Sequence, residues 1–174
     1  MTENLKIKLE KIKLDCKNKR IVFVSGKFNI IHPGHLRLLN FARSCGDFLV
    51  IGLLDDSNPE IVIDQKSRKE ALSGLEAVDD VIIMDTKELG VCLRALQPYA
   101  VVKGAEYSTK ENTEREILKD FGGKLFFSRG EDRFSSRDLI RKELVASQKT
   151  TMGADSLFLN KHNSSHAQLT NHIN

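Results

Sequence analysis

The stretch Ile21-Val22-Phe23-Val24-Ser25-Gly26-Lys27-Phe28-Asn29-Ile30-Ile31-His32-Pro33-Gly34-His35 decides the fold. Four β-branched or aromatic residues in a row predict a strand buried on both faces, because such a strand has no polar side to alternate. Ser25-Gly26 breaks the strand and a short loop follows. His32-Pro33-Gly34-His35 then opens a predicted helix whose apolar residues are Leu36, Leu38, Leu39 and Ala42. Proline is tolerated at a helix start, where its missing N–H would have had no partner. A strand, a glycine turn and a helix N-terminus form an anion site, since free backbone N–H groups and the helix dipole point at one spot. The two histidines, three residues apart, share one side of the first turn. The stretch therefore reads as a phosphate-handling site.

Outward from it, strand and helix alternate. Asp47 to Leu54 reads as a second buried strand ending at Asp55-Asp56, and the Pro59-containing segment from Ser57 to Asp64 as a loop. A helix is predicted from Gln65 to Ala77 with Ala71, Leu72 and Leu75 facing inward, then a third strand at Val81-Ile82-Ile83-Met84. Asp85 or Thr86 can cap a helix that runs through Leu96 and stops at Pro98. Tyr99-Ala100-Val101-Val102 is a fourth strand ending at Lys103-Gly104, and residues 110–121 an exposed, charged helix stopped by Gly122-Gly123. Lys124-Leu125-Phe126-Phe127 is the fifth strand, and Ser135-Ser136-Arg137-Asp138 a further helix start. This alternation predicts an α/β fold: a Rossmann-like, parallel five-stranded sheet with helices on both faces. Ligands in such sheets sit beyond the carboxyl ends of the strands, near the switch in strand order, and the polar clusters fall at those ends.

Ahead of the first strand, residues 3–17 carry Leu5, Leu9 and Ile12 at helical spacing among lysines, a basic amphipathic helix expected to pack on the domain or on a second subunit. From Gln148 the pattern stops. The remaining residues are rich in Ser, Asn, Thr and His, with one apolar patch at Leu157-Phe158-Leu159, and read as a linker or docking tail. His162 and His166 lack a third ligand nearby, so no metal site is expected there. A net charge of +3 over 174 residues is too slight to argue for nucleic acid. Cys16, Cys45 and Cys92 are scattered and read as free thiols. No apolar run approaches the roughly 20 residues of a membrane span, and no signal peptide is evident. The expected location is the cytoplasm.

Residues 26–35 resemble the G-x-F-D-x-x-H-x-G-H signature of the HxGH nucleotidyltransferases, the cytidylyltransferase-like superfamily. Arg68 with Leu75-Glu76-Ala77-Val78-Asp79-Asp80-Val81 resembles its R-x-x-x-L-x-x-L-x-x-V-D-x-V segment. Pro98 to Tyr107 is similar to its P-D-x-x-V-K-G-x-D-Y, and Phe134 to Arg141 to its I-S-S-T-x-I-R helix start. Within the superfamily the likeness is strongest to the sugar-phosphate branch, the heptose-1-phosphate adenylyltransferase (ADP-heptose synthase) domain, and then to glycerol-3-phosphate cytidylyltransferase. Three positions depart from the pattern: Asn29 and Glu106 replace Asp, and Arg137 stands where Thr is common.

The resemblance implies transfer of AMP or CMP from ATP or CTP to a sugar or polyol phosphate, with pyrophosphate leaving. It divides the chain into an N-terminal helix (1–19), a nucleotidyltransferase domain (20–146) and a poorly ordered tail (147–174). His32, His35 and Lys103 are the implied catalytic residues. Ser25, Gly26, Lys27, Phe28, Gly34, Gly104, Ser135, Ser136 and Arg141 are implied in nucleotide binding, and Asn29, Asp55, Arg68, Glu106 and Arg133 in binding the acceptor. Mg²⁺ is expected to be held mainly by the triphosphate. The implied partners are the two substrates, a second copy of the chain in a homodimer, and a fused or associated second domain, but neither nucleic acid nor membrane. Two other readings compete. A class I aminoacyl-tRNA synthetase shares a similar histidine motif, but K-M-S-K-S is missing and the chain is too short. A nucleotide-binding regulatory or scaffolding module that has lost catalysis is favoured by Asn29, Glu106 and the tail.

Overall fold

Runs of β-branched and aromatic residues, each followed by an amphipathic segment, build five parallel strands joined by helical crossovers. The computed structural model describes residues 2–128. Its elements are α1 (Glu3–Asp15), β1 (Ile21–Gly26), α2 (Pro33–Ser44), β2 (Phe48–Leu54), α3 (Gln65–Ser73) and β3 (Asp80–Met84). There follow α4 (Leu89–Leu96), β4 (Ala100–Gly104), α5 (Thr113–Lys119) and β5 (Lys124–Ser128), with 3-10 turns at Thr86–Glu88 and Ala105–Tyr107. The chain divides into Met1–Phe134 and Ser135–Asn174, and the second unit lies wholly outside the described residues. The sheet order is β3-β2-β1-β4-β5, every pair parallel, the α/β class expected from the alternation.

Strand parity sorts the core into two layers, because successive side chains point to opposite faces. Ile21, Phe23, Val50, Ile82 and Val101 face α1, α4 and α5, and pack with Leu5, Leu9, Ile12, Cys92, Leu93, Leu96 and Leu118. Val22, Val24, Leu49, Ile51 and Val102 face α2 and α3, and pack with Leu39, Ala42 and Leu72. The apolar stripe of α1 is therefore spent on this chain's own core; what α1 leaves exposed is Ile7 and Leu14.

Strand order reverses at β1. One crossover path leads from β1 to β2 and β3, the other to β4 and β5. The β1–β2 register covers six residues and the β4–β5 register five, but β1 and β4 pair only at Val22–Ala100 and Phe23–Val101. The two central strands thus part toward their carboxyl ends, and the crevice expected at a switch point opens between Ser25-Gly26 and Lys103-Gly104.

Several boundaries differ from expectation for local reasons. α1 ends two residues early because Asn18 adopts a left-handed φ of 69° to turn into β1. α3 stops at Gly74, so Leu75 packs on the core from a turn and Ala71 is exposed. α4 ends at Leu96 as expected, finished by Gln97 with its left-handed φ of 45° and N–H bond to the Leu93 carbonyl, but it starts only at Leu89, because Asp85 caps a 3-10 turn over Thr86–Glu88 instead. α5 is shorter than 110–121. Asn112 Nδ2 donates to the carbonyls of Tyr107 and Lys110 and holds the preceding residues in a loop, while Gly122 at φ 76° ends the C-terminal side. Nor is α5 exposed throughout, since Glu114 and Leu118 are buried.

Candidate active site

The tip of β1 is fastened before any ligand arrives. Phe28 has a left-handed φ of 47°, a conformation rare for a bulky residue and a mark of functional strain. Its ring is buried and lies 5.0 Å from the His35 ring, so Phe28 is a floor for the histidine. Gly26 makes room for that floor: a Cβ there would sit 2.9 Å from Phe28 Cε2. Arg68, expected to contact the acceptor, is 2% exposed and given over to the protein. Its Nε donates to the Ile63 carbonyl, Nη1 to the carbonyls of Lys27 and Leu54, and Nη2 to Asp56. It ties the ends of β1 and β2 to the 57–64 loop and is a positioning residue. Lys27 is paired with Glu60 of the same loop. Asp55 accepts from the Ser57 N–H and hydroxyl, closing the turn after β2.

Asn29 completes the fastening. Its Nδ2 donates 2.9 Å to the Glu60 carbonyl and its Oδ1 accepts 3.0 Å from the Val62 N–H. Only an amide can serve both ends; a carboxylate has no donor. The departure from the signature's Asp is thus matched by the loop it holds. Replacing Asn29 by Asp is expected to set a carboxylate against the Glu60 carbonyl and cost about 1–3 kcal/mol. Urea unfolding and faster amide exchange over residues 57–64 are the checks, and unchanged values in both would show the clamp carries no weight.

His32 and His35 occupy the first turn of α2. His32 is the N-cap, and its Nδ1 accepts 3.1 Å from the Gly34 N–H, which leaves the ring proton on Nε2. Gly34 permits this closeness, since a Cβ there would lie 2.9 Å from the imidazole. The N–H groups of His35 and Leu36 both bond to the His32 carbonyl. The expectation of free backbone donors at this helix start is therefore corrected: Pro33 has none and the next three are used. What α2 offers an anion is its dipole and two imidazole rings, stacked with centroids 3.9 Å apart. Burial, then the positive charge of Arg37, lower the pKa of His32 against an opposing pull from Glu106. Burial and, after it, the neighbouring His32 bring His35 down from 6.5 to about 4, with the Ile30 backbone pulling the other way. Both rings are neutral at pH 7 and act as N–H donors, not as cations.

The depressed value has a stability consequence. Between pH 6.5 and about 4 the unfolded chain binds a proton at His35 that the folded chain refuses. Stability contributed by the neutral ring is complete above pH 6.5 and is lost as pH falls to about 4, a change of about 3 kcal/mol. Melting temperatures across that window should fall more steeply for wild type than for His35→Gln. Parallel curves would refute the assignment.

The tip of β4 supplies the opposite wall. Lys103 is largely buried, its Nζ 2.6 Å from Glu114 Oε1 and 4.9 Å from the centre of the Tyr107 ring. Gly104 lies beneath the Glu106 carboxylate, which a Cβ at that position would strike. Burial first, then Glu106 and Glu114, raise the Tyr107 hydroxyl above its ordinary value. β1 and β4 are parallel neighbours, so the β4 tip and the start of α2 lie at the same carboxyl-end edge of the sheet, and Glu106 pulls the His32 pKa upward. Ser25 lies at the end of β1 on the same rim. The structure groups Gly26, Phe28, His32, Gly34 and His35 at the β1–α2 turn, with Ser25 at the end of β1, and Lys103, Gly104 and Glu106 at the tip of β4. It turns Asn29, Asp55 and Arg68 to the support of the surrounding loop. Arg133, Ser135, Ser136 and Arg141, with the helix start at residue 135 and the tail, lie outside the described residues. Glu114, missed in sequence, looked like one more surface charge; its one signal was the i, i+4 spacing to Leu118, the buried residue of α5.

A parallel sheet whose order switches at β1, with a histidine pair after that strand and a lysine at the end of its neighbour, is the arrangement in which α/β folds place ligands. The cytidylyltransferase-like family model matches residues 23–142. The chain belongs to that family, and with it to the nucleotidyltransferases. It is 36% identical over 111 residues to the bifunctional protein HldE of Wolinella succinogenes, a match that covers 60% of this chain and 23% of that protein. To the bifunctional protein HldE of Geobacter sulfurreducens it is 32% identical over 138 residues, covering 75% and 28%. The chain spans about a quarter of the length of these relatives. The lipopolysaccharide core biosynthesis protein from Thermoplasma volcanium superposes with a TM-score of 0.58 at 25% identity, over 66% of this chain and all of that one. Pantothenate synthetase from Thermus thermophilus, at 15% identity and a TM-score of 0.50, shares the fold alone. No helix among the described residues is long and apolar enough to cross a membrane.

Proposed function

We propose that this domain transfers a nucleoside monophosphate from ATP or CTP to a phosphorylated small molecule, a sugar or polyol phosphate, and releases pyrophosphate. The observation that carries the reading is the pair of adjacent, neutral imidazoles at the start of α2, at the same carboxyl-end edge of the parallel sheet as Lys103. An acceptor phosphate oxygen attacks the α-phosphorus, the bond to the β-phosphate bridging oxygen breaks, and pyrophosphate departs with the electron pair. The nucleophile is already an anion, so no protein base is required. Catalysis then rests on in-line alignment and on donors aimed where charge accumulates. His32 donates from Nε2–H, and His35 from its ring N–H, to the α-phosphate and leaving group, and the Lys103 ammonium holds a phosphate as a point charge.

The substrate is the magnesium salt of the triphosphate, whose own oxygens and water hold the ion. Of the carboxylates at these strand ends, Asp55 is engaged in its turn and Glu106 lies back on Gly104. Relatives named bifunctional, and a structural relative from lipopolysaccharide core biosynthesis, support a sugar-phosphate acceptor and a second activity alongside this domain. Cytoplasmic residence and a homodimer belong to the same proposal. Since the Leu5–Leu9–Ile12 stripe is buried, the dimer surface must lie elsewhere.

A second reading, a nucleotide-binding module without turnover, is favoured by one observation: Lys27, Lys103 and Arg68 each face a carboxylate of the protein itself. Pyrophosphate release from ATP and CTP, each with a panel of sugar and polyol phosphates, separates the two. Turnover on one pair supports the enzyme. Micromolar nucleotide binding with no release on any pair supports the module.

A further inference from the structure

Glu114 is 3% exposed at the second position of α5, in a segment otherwise covered with solvated charge. A buried ion pair is costly, and two apolar residues in place of Glu114 and Lys103 would stabilise the fold at least as well. Its place in the first helical turn favours the ionised form through the dipole. Among the described residues its one partner in an ion pair is Lys103. Of the three N–H groups on that ammonium, one donates to Glu114 Oε1. The other two have no hydrogen-bond acceptor among the described residues, and the Tyr107 ring lies 4.9 Å from Nζ. A lysine on a free four-carbon stem samples several rotamers; this one is held at a single point with two donors left over. The holder is itself braced, because Asn112 bonds the carbonyls of Tyr107 and Lys110 and fixes the loop that leads into α5.

We propose that Glu114 is a positioning residue for Lys103, holding its ammonium at the mouth of the β1–β4 crevice so that two N–H groups meet the phosphates of the nucleotide. The proposal rests on the nucleotidyl-transfer reading above and adds to it a residue outside the signature motifs. Glu114 touches neither substrate; it acts through the lysine.

The experiment is a double-mutant cycle on Glu114→Ala, Lys103→Met and the pair together, with Glu114→Gln as the conservative variant. Pyrophosphate release is followed on the best nucleotide and acceptor, well below each variant's melting temperature. Misplacing a phosphate-contacting group by about 1 Å is enough to lower the rate on the order of 100-fold. Glu114→Ala should therefore lower kcat/KM by about 10- to 100-fold. Glu114→Gln, whose amide oxygen still accepts from the ammonium, should recover to within about threefold of wild type. In the Lys103→Met background Glu114→Ala should have no further effect, the mark of action through one partner. Wild-type kinetics in Glu114→Ala with only a lowered melting temperature would overturn the proposal, as would a further loss in the Lys103→Met background. If wild type itself releases no pyrophosphate, the reading of the activity fails. The role of Glu114 is then read from calorimetric Kd values for ATP and CTP in the same four proteins, where values for Glu114→Ala equal to wild type would overturn it.

Discussion

Replacing His35 with alanine is expected to lower pyrophosphate release about 100- to 1,000-fold while leaving the far-ultraviolet circular dichroism and the melting temperature at pH 7.5 near those of wild type. The ring sits on Phe28, beside His32, and it is neutral because the protein around it excludes water. In the proposed reaction its contribution is an N–H aimed at charge that develops only as pyrophosphate leaves, so its loss would fall on the transition state more than on the resting protein. His35→Gln retains an amide N–H near that point and should recover part of the rate. His32→Ala should match the kinetic loss and also reduce stability by about 1 kcal/mol, because it removes the cap from α2. Steady-state rates measured beside thermal melts distinguish these effects. Rate and stability falling together in His35→Ala would mark the residue as part of the core instead.

The second large effect belongs to Arg68. Arg68→Met keeps an unbranched apolar stem but removes the guanidinium and its four hydrogen bonds, stranding the carbonyls of Lys27, Leu54 and Ile63 and the Asp56 carboxylate. The expected loss is about 3–5 kcal/mol, the range for breaking a buried charged network by removing one partner. Arg68→Lys should restore little of it, since one compact ammonium cannot span bonds that diverge from both sides of a guanidinium. Urea denaturation provides the measure. A loss under 1 kcal/mol would show that water replaces the network and that Arg68 is available to a ligand after all.

These two residues show what could be read from sequence. His32 and His35 were legible because strand, glycine turn and helix start are local: each is set by neighbours a few positions away, and their side chains end up where the motif's own geometry puts them. The sheet was legible for the same reason, since uninterrupted apolar runs have few alternatives to a strand covered on both sides. Arg68 was found but given the wrong task. One turn into α3 it resembles any charged helical residue, and nothing local says that two strand ends and a loop will deliver three carbonyls to it. Glu114 was missed outright because its burial depends on where β4 places Lys103, eleven positions earlier and across a loop. The backbone donors of α2 were overcounted because the His32 side chain turns back on Gly34, a consequence of ring orientation that spacing does not encode. Polar residues whose role depends on distant partners are the ones a linear reading leaves undecided.

The placement of α1 bears on how this domain must be handled. Leu5, Leu9 and Ile12 roof over Ile82, Met84, Leu93 and Leu96. A fragment trimmed to begin at β1 would keep every histidine and lysine of the crevice yet carry an oily furrow down its back. Such a fragment should clump on expression, and its failure would be mistaken for a defect in chemistry when the missing part is a lid of three aliphatic side chains.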